Sequence, residues 1–106
     1  GFIAFGCSPA VTAAGTTQAT ATVLTRAVNM VTGGSTNNGV ILPAPVGGER
    51  VFVRNNLGVD IRVWPHSGGQ VNNGGTNAAA TLSASSSLEY VATSTTTWFT
   101  VNATYA

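Results

Sequence analysis

Few side chains in this sequence could do chemistry. The 106 residues hold one histidine (His66), one cysteine (Cys7), three acids (Glu49, Asp60 and Glu89) and four arginines, with no lysine. General acid–base catalysis needs a titratable group within hydrogen-bond reach of a partner. His66, in Trp64-Pro65-His66, has no second titratable group close by in the sequence, and Asp60 has a better use opposite Arg54. A metal site needs several His, Cys or carboxylate ligands at tight spacing, and that spacing is missing. No glycine-rich loop follows the strand-to-helix pattern of a phosphate site, so the glycines read as turns. The expectation is a protein that is not an enzyme, with no catalytic residue, metal or cofactor.

A single cysteine excludes an internal disulfide framework. Cys7 reads as a small buried hydrophobe, with an intermolecular disulfide as the sharper alternative. Trp64, Tyr90, Trp98 and Tyr105 could offer flat rings to a sugar, but the amides and acids that would orient one are not grouped beside them. The expectation is that Trp98 and Tyr90 cap the core and Trp64 packs under Arg50.

Composition narrows the partners. Only 7% of residues are charged, against about 25% in ordinary globular proteins. Net charge is +1 and the four arginines are scattered, so no basic patch for nucleic acid can be assembled. The longest apolar runs, such as Phe2–Phe5, are far too short to span a bilayer. A surface this poor in charge suits a subunit that hides much of it in an assembly.

The elements that position these residues are strands. The stretch from Gly39 to Pro65 holds five of the seven charges. Within it Val51 and Val53 alternate with Arg50, Phe52 and Arg54, and Ile61 and Val63 alternate with Asp60, Arg62 and Trp64. Period-2 patterning with β-branched residues marks a half-buried strand. A three-residue loop, Asn56-Leu57-Gly58, predicts a hairpin with Arg54 opposite Asp60, Val53 opposite Ile61 and Val51 opposite Val63. Gly58 would then take the positive-φ position. Phe52 would face Arg62, and Arg50 would face Trp64, as two cation–π pairs.

Around this centre, Thr16–Thr32 predicts two strands or one bent strand with a bulge or corner near Arg26-Ala27. Val40–Leu42, Ala78–Ala84, Leu88–Ala92 and Trp98–Tyr105 add further strands, separated by polar turns. Seven or eight short antiparallel strands at this spacing predict an all-β domain, a single β-sandwich or small barrel over residues 16–106. Residues 1–15 read as an extended N-terminal arm, since Phe2, Ile3 and Phe5 are too apolar for a free tail. The arm is expected to dock on a neighbouring subunit or shell protein through Phe2, Ile3, Phe5 and Cys7.

The order of these pieces resembles small virion proteins of tailed bacteriophages. The pieces are AGTTQATATV (14–23), NMVT (29–32), GVILPAP (39–45), GERVFVRN (48–55), IRVWPHSG (61–68) and EYVATSTTTWF (89–99). The layout looks like a module of capsid decoration (cement) proteins and of tail-fibre or appendage subunits, over about residues 14–101. The resemblance implies a homo-oligomer, most often a trimer, on the virion surface. The capsid reading is a decoration protein bound to the outer face of the major capsid protein, stabilising the shell. The alternative is a fibre or capsid-surface module that binds a host glycan or receptor. No shaft-like or coiled-coil extension accompanies the module, which favours the capsid reading. With no lysine, this chain can supply only the Asn half of a Lys–Asn crosslink, so its attachment is expected to be non-covalent.

Overall fold

The computed structural model describes residues 6–45 and 47–101. The described residues form an all-β structure of two sheets. The strands are β1 (Cys7–Thr12), β2 (Thr22–Val23), β3 (Val28–Gly33), β4 (Gly39–Ile41), β5 (Arg50–Asn55), β6 (Ile61–Trp64), β7 (Gln70–Val71), β8 (Ala80–Leu82), β9 (Ser87–Ala92) and β10 (Thr97–Val101). A single 3-10 turn, Gln18–Thr20, joins β1 to β2.

Apart from β9 and β10, successive strands do not pair with each other. The larger sheet runs β1-β3-β5-β9-β10-β7 and the smaller β2-β4-β6-β8, so the chain crosses between sheets at almost every bend. Cys7 lies beside Val28, and Val28 beside Phe52, in parallel register. Likewise Val40 lies beside Thr22 and Val63. Strands β1 to β6 therefore wind as a solenoid-like coil. Antiparallel β8 against β6 and β9 against β5 close one end of it. The expected antiparallel sandwich or barrel is corrected by this topology, because the pairs β1–β3, β3–β5, β2–β4, β4–β6 and β7–β10 are all parallel. A parallel pair needs a long crossover, and here the strand of the opposite sheet supplies it.

The bends stack as the strands do. The Ala13 amide donates to the Gly33 carbonyl at 3.0 Å, Asn37 to Asp60 at 2.9 Å and Asn56 to Val31 at 3.0 Å. Gly15, with φ at +66° and its Cα facing the Thr20 side chain, makes the first bend. Asn37 takes the left-handed conformation, with φ at 64°, in the second. The third bend is held by Asn55, which is fully buried. Its side-chain NH2 faces the carbonyls of Val59, Leu82 and Ser83 at 2.8, 3.1 and 3.1 Å, and its Oδ1 accepts from the Leu57 amide at 3.1 Å.

That third bend overturns the expected hairpin. β5 belongs to the larger sheet and β6 to the smaller, so the two face each other across the core and exchange no ladder hydrogen bonds. Val51, Val53, Ile61 and Val63 do share one apolar interior, but across the space between sheets. Gly58 does not take positive φ, and a Cβ there would meet nothing within 4 Å. Arg54 lies opposite Ser87 instead of Asp60, and its Nη1 donates to the Ser85 carbonyl at 2.9 Å. Asp60 accepts from the Ala84 amide at 3.0 Å. The cation–π pairs of Phe52 with Arg62 and Arg50 with Trp64 fall for the same reason, since each spans two sheets.

Other expectations hold. The corner at Arg26-Ala27 separates β2 from β3. Trp98 and Tyr90 sit fully inside the core with Leu42, Ile61 and Leu82. The proposed division at residue 15 does not survive for the described part of the arm. Cys7–Thr12 is the edge strand of the larger sheet, paired along β3, and Val11 is buried in the core. Phe2, Ile3 and Phe5 lie outside the described residues.

Candidate interaction surface

Inward positions of the larger sheet fill the core, which leaves the alternate positions on its outer face. Register places three rows there. Cys7, Val28, Phe52, Glu89 and Val101 form one; Arg50, Val91 and Phe99 a second; Met30, Arg54 and Ser87 a third. Val101 is 44% exposed, and Phe52, Val91, Phe99 and Met30 are half-buried, with no further layer over them among the described residues. Six strands at about 4.8 Å spacing make a face roughly 24 Å wide.

Charge gathers at one end of this face. A groove of about 640 Å³ lies between the loop leading into β3 and the loop leading into β5, lined by Leu24, Val28, Pro43 and Phe52 together with charged residues. Those are Arg26, Glu49, Arg50 and Glu89, four of the seven charges in the chain. Arg50 donates to Glu89 Oε1 at 2.6 Å across β5 and β9. Both partners are solvent-facing, so the pair contributes little to stability and more to defining the rim.

The chemistry-bearing residues do not converge. His66 is half-buried, its Nδ1 has no hydrogen-bond partner among the described residues, and its ring packs over Gly69, where a Cβ would collide with it. No contact joins it to Asp60 or Glu89, which are engaged elsewhere. Among the described residues, no group of three or more His, Cys, Asp and Glu could hold a metal ion. Cys7 is an exposed free thiol on the outer row of the larger sheet, rather than the buried residue expected.

The aromatics divide as well. Trp98 and Tyr90 are in the core, where burial pushes the Tyr90 phenol far above its ordinary pKa. Trp64 lies on the outer face of the smaller sheet, beside Ile41 and in one row with Val23, and its covered indole nitrogen has no hydrogen-bond partner among the described residues. Gly39 lets that ring lie close, since a Cβ there would sit 2.7 Å from Nε1. No stack of open rings for a sugar results. Tyr105 lies outside the described residues.

The outer-face rows were invisible to a hairpin reading, because that reading gave Phe52 and Arg50 the wrong neighbours. The signal for Glu89 as partner of Arg50 was weak, since the two residues are 39 apart in the chain. Asn55 had a signal in the alternation itself, an amide at the inward position after Val51 and Val53. No protein-family model matches the chain, and no curated protein or solved structure matches it.

Proposed function

We propose that this protein is a non-enzymatic structural subunit of a virion, a decoration protein that sits on the outer face of the major capsid protein and stabilises the shell. The observation that carries this reading is the broad outer face of the larger sheet, where Met30, Val91, Phe99 and Val101 lie open in a chain with little charge elsewhere. A broad, mostly apolar face with Arg50, Arg54 and Glu89 along its central strands suits a protein partner better than a small molecule, which needs a concave site with convergent polar groups. The resemblance of the sequence to virion modules supplies the identity of that partner.

Attachment is non-covalent, and the subunit works as a homotrimer. A cyclic trimer repeats one heterologous contact three times and closes, which prevents runaway assembly. Each contact is expected to bury on the order of 1,200 Å² or more. The test is binding to undecorated shells. Val101→Glu and Phe99→Asp should lower occupancy on the particles, whereas Thr81→Glu, on the outer face of the smaller sheet, should not. Sedimentation of a monomer at micromolar concentration, both free and after release from particles, would remove the trimer. Copy numbers per virion matching those of fibres rather than of the shell lattice would replace the capsid reading with the fibre alternative.

A further inference from the structure

The sequence holds two Asn-Gly steps, Asn38-Gly39 and Asn73-Gly74, and the fold sets them in opposite surroundings. An asparagine side-chain amide is open to attack by the next backbone nitrogen, most of all before glycine, which has no Cβ to shield that nitrogen. The attack needs a free side chain and a backbone able to swing into line. Asn38 has neither. Its Oδ1 accepts from the Ser35 amide at 2.7 Å, and its Nδ2 donates to the Gly15 carbonyl at 3.2 Å. Gly39 is buried at the start of β4, and its amide donates to the Ala14 carbonyl at 3.1 Å. Opening this step means pulling β4 from between β2 and β6.

Asn73 and Gly74 are both exposed, and the Asn73 side chain makes no hydrogen bond among the described residues. With Asn72 it forms the centre of the turn Val71–Gly74, which the Gly74 amide closes on the Val71 carbonyl at 2.9 Å. φ is 53° at Asn72 and 57° at Asn73, the left-handed pair of a type I′ turn. Glycine suits position 74, where a Cβ would come within 3.1 Å of the Val71 carbonyl oxygen. The residue that fits the turn thus leaves its own nitrogen unshielded. An exposed turn of this kind opens locally, without unfolding the sheets. Asn72 is exposed too, but its side chain is engaged. Its Oδ1 accepts from the Thr100 amide and its Nδ2 donates to Thr100 Oγ1, both at 2.9 Å.

We propose that Asn73-Gly74 is a self-modification site, at which the folded protein converts Asn73 to an aspartyl or isoaspartyl residue while Asn38 is protected. The Gly74 nitrogen, on losing its proton, attacks Asn73 Cγ. The Cγ–Nδ2 bond breaks, Nδ2 leaves as ammonia with the proton, and a five-membered succinimide forms. Water then opens the ring. Cleavage between Cγ and the Gly74 nitrogen gives an aspartyl residue; cleavage at the main-chain carbonyl gives an isoaspartyl residue, whose backbone runs through Cγ. No oxidant or enzyme is needed. Either product adds one carboxylate, which cancels the net charge of +1. A chain brought to zero net charge associates more readily. The inference is independent of the virion reading.

Incubation of the full chain in mildly alkaline buffer decides it, followed by intact mass and by fragment mapping that distinguishes isoaspartyl from aspartyl residues. In the folded protein, position 73 should exchange its amide NH2 for a hydroxyl oxygen at least about tenfold faster than position 38, because only its nitrogen is freed by local opening. Both products should appear at position 73. In guanidinium chloride, where the fold is absent, the two positions should convert at similar rates. Asn73→Gly, which keeps the left-handed turn, should hold the intact mass of the folded protein constant over the same period. No conversion at position 73, or equal conversion at 38 and 73 in the folded protein, would overturn the proposal. An aspartyl product alone would exclude the succinimide. A tenfold gap that persists in the unfolded chain would assign the difference to local sequence and overturn the argument from the fold.

Discussion

At the residue scale, two fully buried polar side chains set opposite expectations. Asn55 ties the third bend to the closing strand through the carbonyls of Val59, Leu82 and Ser83. Asn55→Ala leaves those acceptors buried without a donor, a loss of about 3 kcal/mol. Thermal unfolding should show a midpoint lower by more than about 10 °C. Asn55→Asp puts a carboxylate among carbonyl oxygens, which raises its folded pKa above the ordinary value near 4. Its penalty is then absent in acid and grows as pH rises, so its deficit against the parent should be smaller at about pH 3.5 than at pH 7. Tyr90 is the reverse case: its hydroxyl has no hydrogen-bond partner among the described residues, and burial raises its pKa. The neutral phenol is favoured in the folded state, so its contribution is intact below pH 10 and is lost as the unfolded chain ionises above it. Urea unfolding between pH 8 and 11 should show this fall. Tyr90→Phe should flatten it, at a cost near zero or a gain of up to about 1 kcal/mol at neutral pH.

At the element scale, the bends separate two glycines that look alike in the sequence. Gly58 is exposed, has no positive φ and has open space around it. Gly58→Ala should leave the melting midpoint within a few degrees of the parent, within about 0.5 kcal/mol. Gly15 has φ at +66°, and a Cβ there would collide with the Thr20 side chain. Gly15→Ala should lower the midpoint clearly, because strain and overpacking act together. Equal effects at the two positions would mean that the chain turns back on itself at Asn56–Gly58 and does not cross between sheets there.

At the scale of the whole molecule, the coil has one closed end and one open end. β5 is paired on both sides, by β3 and β9, and its inward side chains Val51 and Val53 are fully inside. β1 and β2 are edge strands, and β1 carries Pro9 and two register shifts along its pairing with β3. Proline and bulges on an edge discourage pairing with other chains. Stability in such a stack falls toward its ends. Amide exchange should therefore be slowest for Val51 and Val53 and fastest, among the strands of the coil, for β1 and β2. Uniform protection across β1, β3 and β5 would mean that something covers the open end.

The sequence by itself determined most of the strands, though not β1 or β7, and which side chains of β5 and β6 point inward. Alternation in Val51–Asn55 and Ile61–Val63 is a property of extended backbone, and the interior accepts only the apolar set. It also determined the corner at Arg26-Ala27 and the burial of Trp98 and Tyr90. Partnership was decided by the tertiary structure. Alternation specifies a strand's face but not its in-plane neighbour, and Val53 can meet Ile61 equally well beside it on one sheet or across from it between two. Asn55 favours the crossing, since its amide ties the bend at Val59 to the closing strand at Leu82 and Ser83. The candidate surface followed from that choice. Phe52, Glu89 and Val101 become one row only when β5, β9 and β10 are neighbours, and ladder contacts at such separations leave no local mark on a chain.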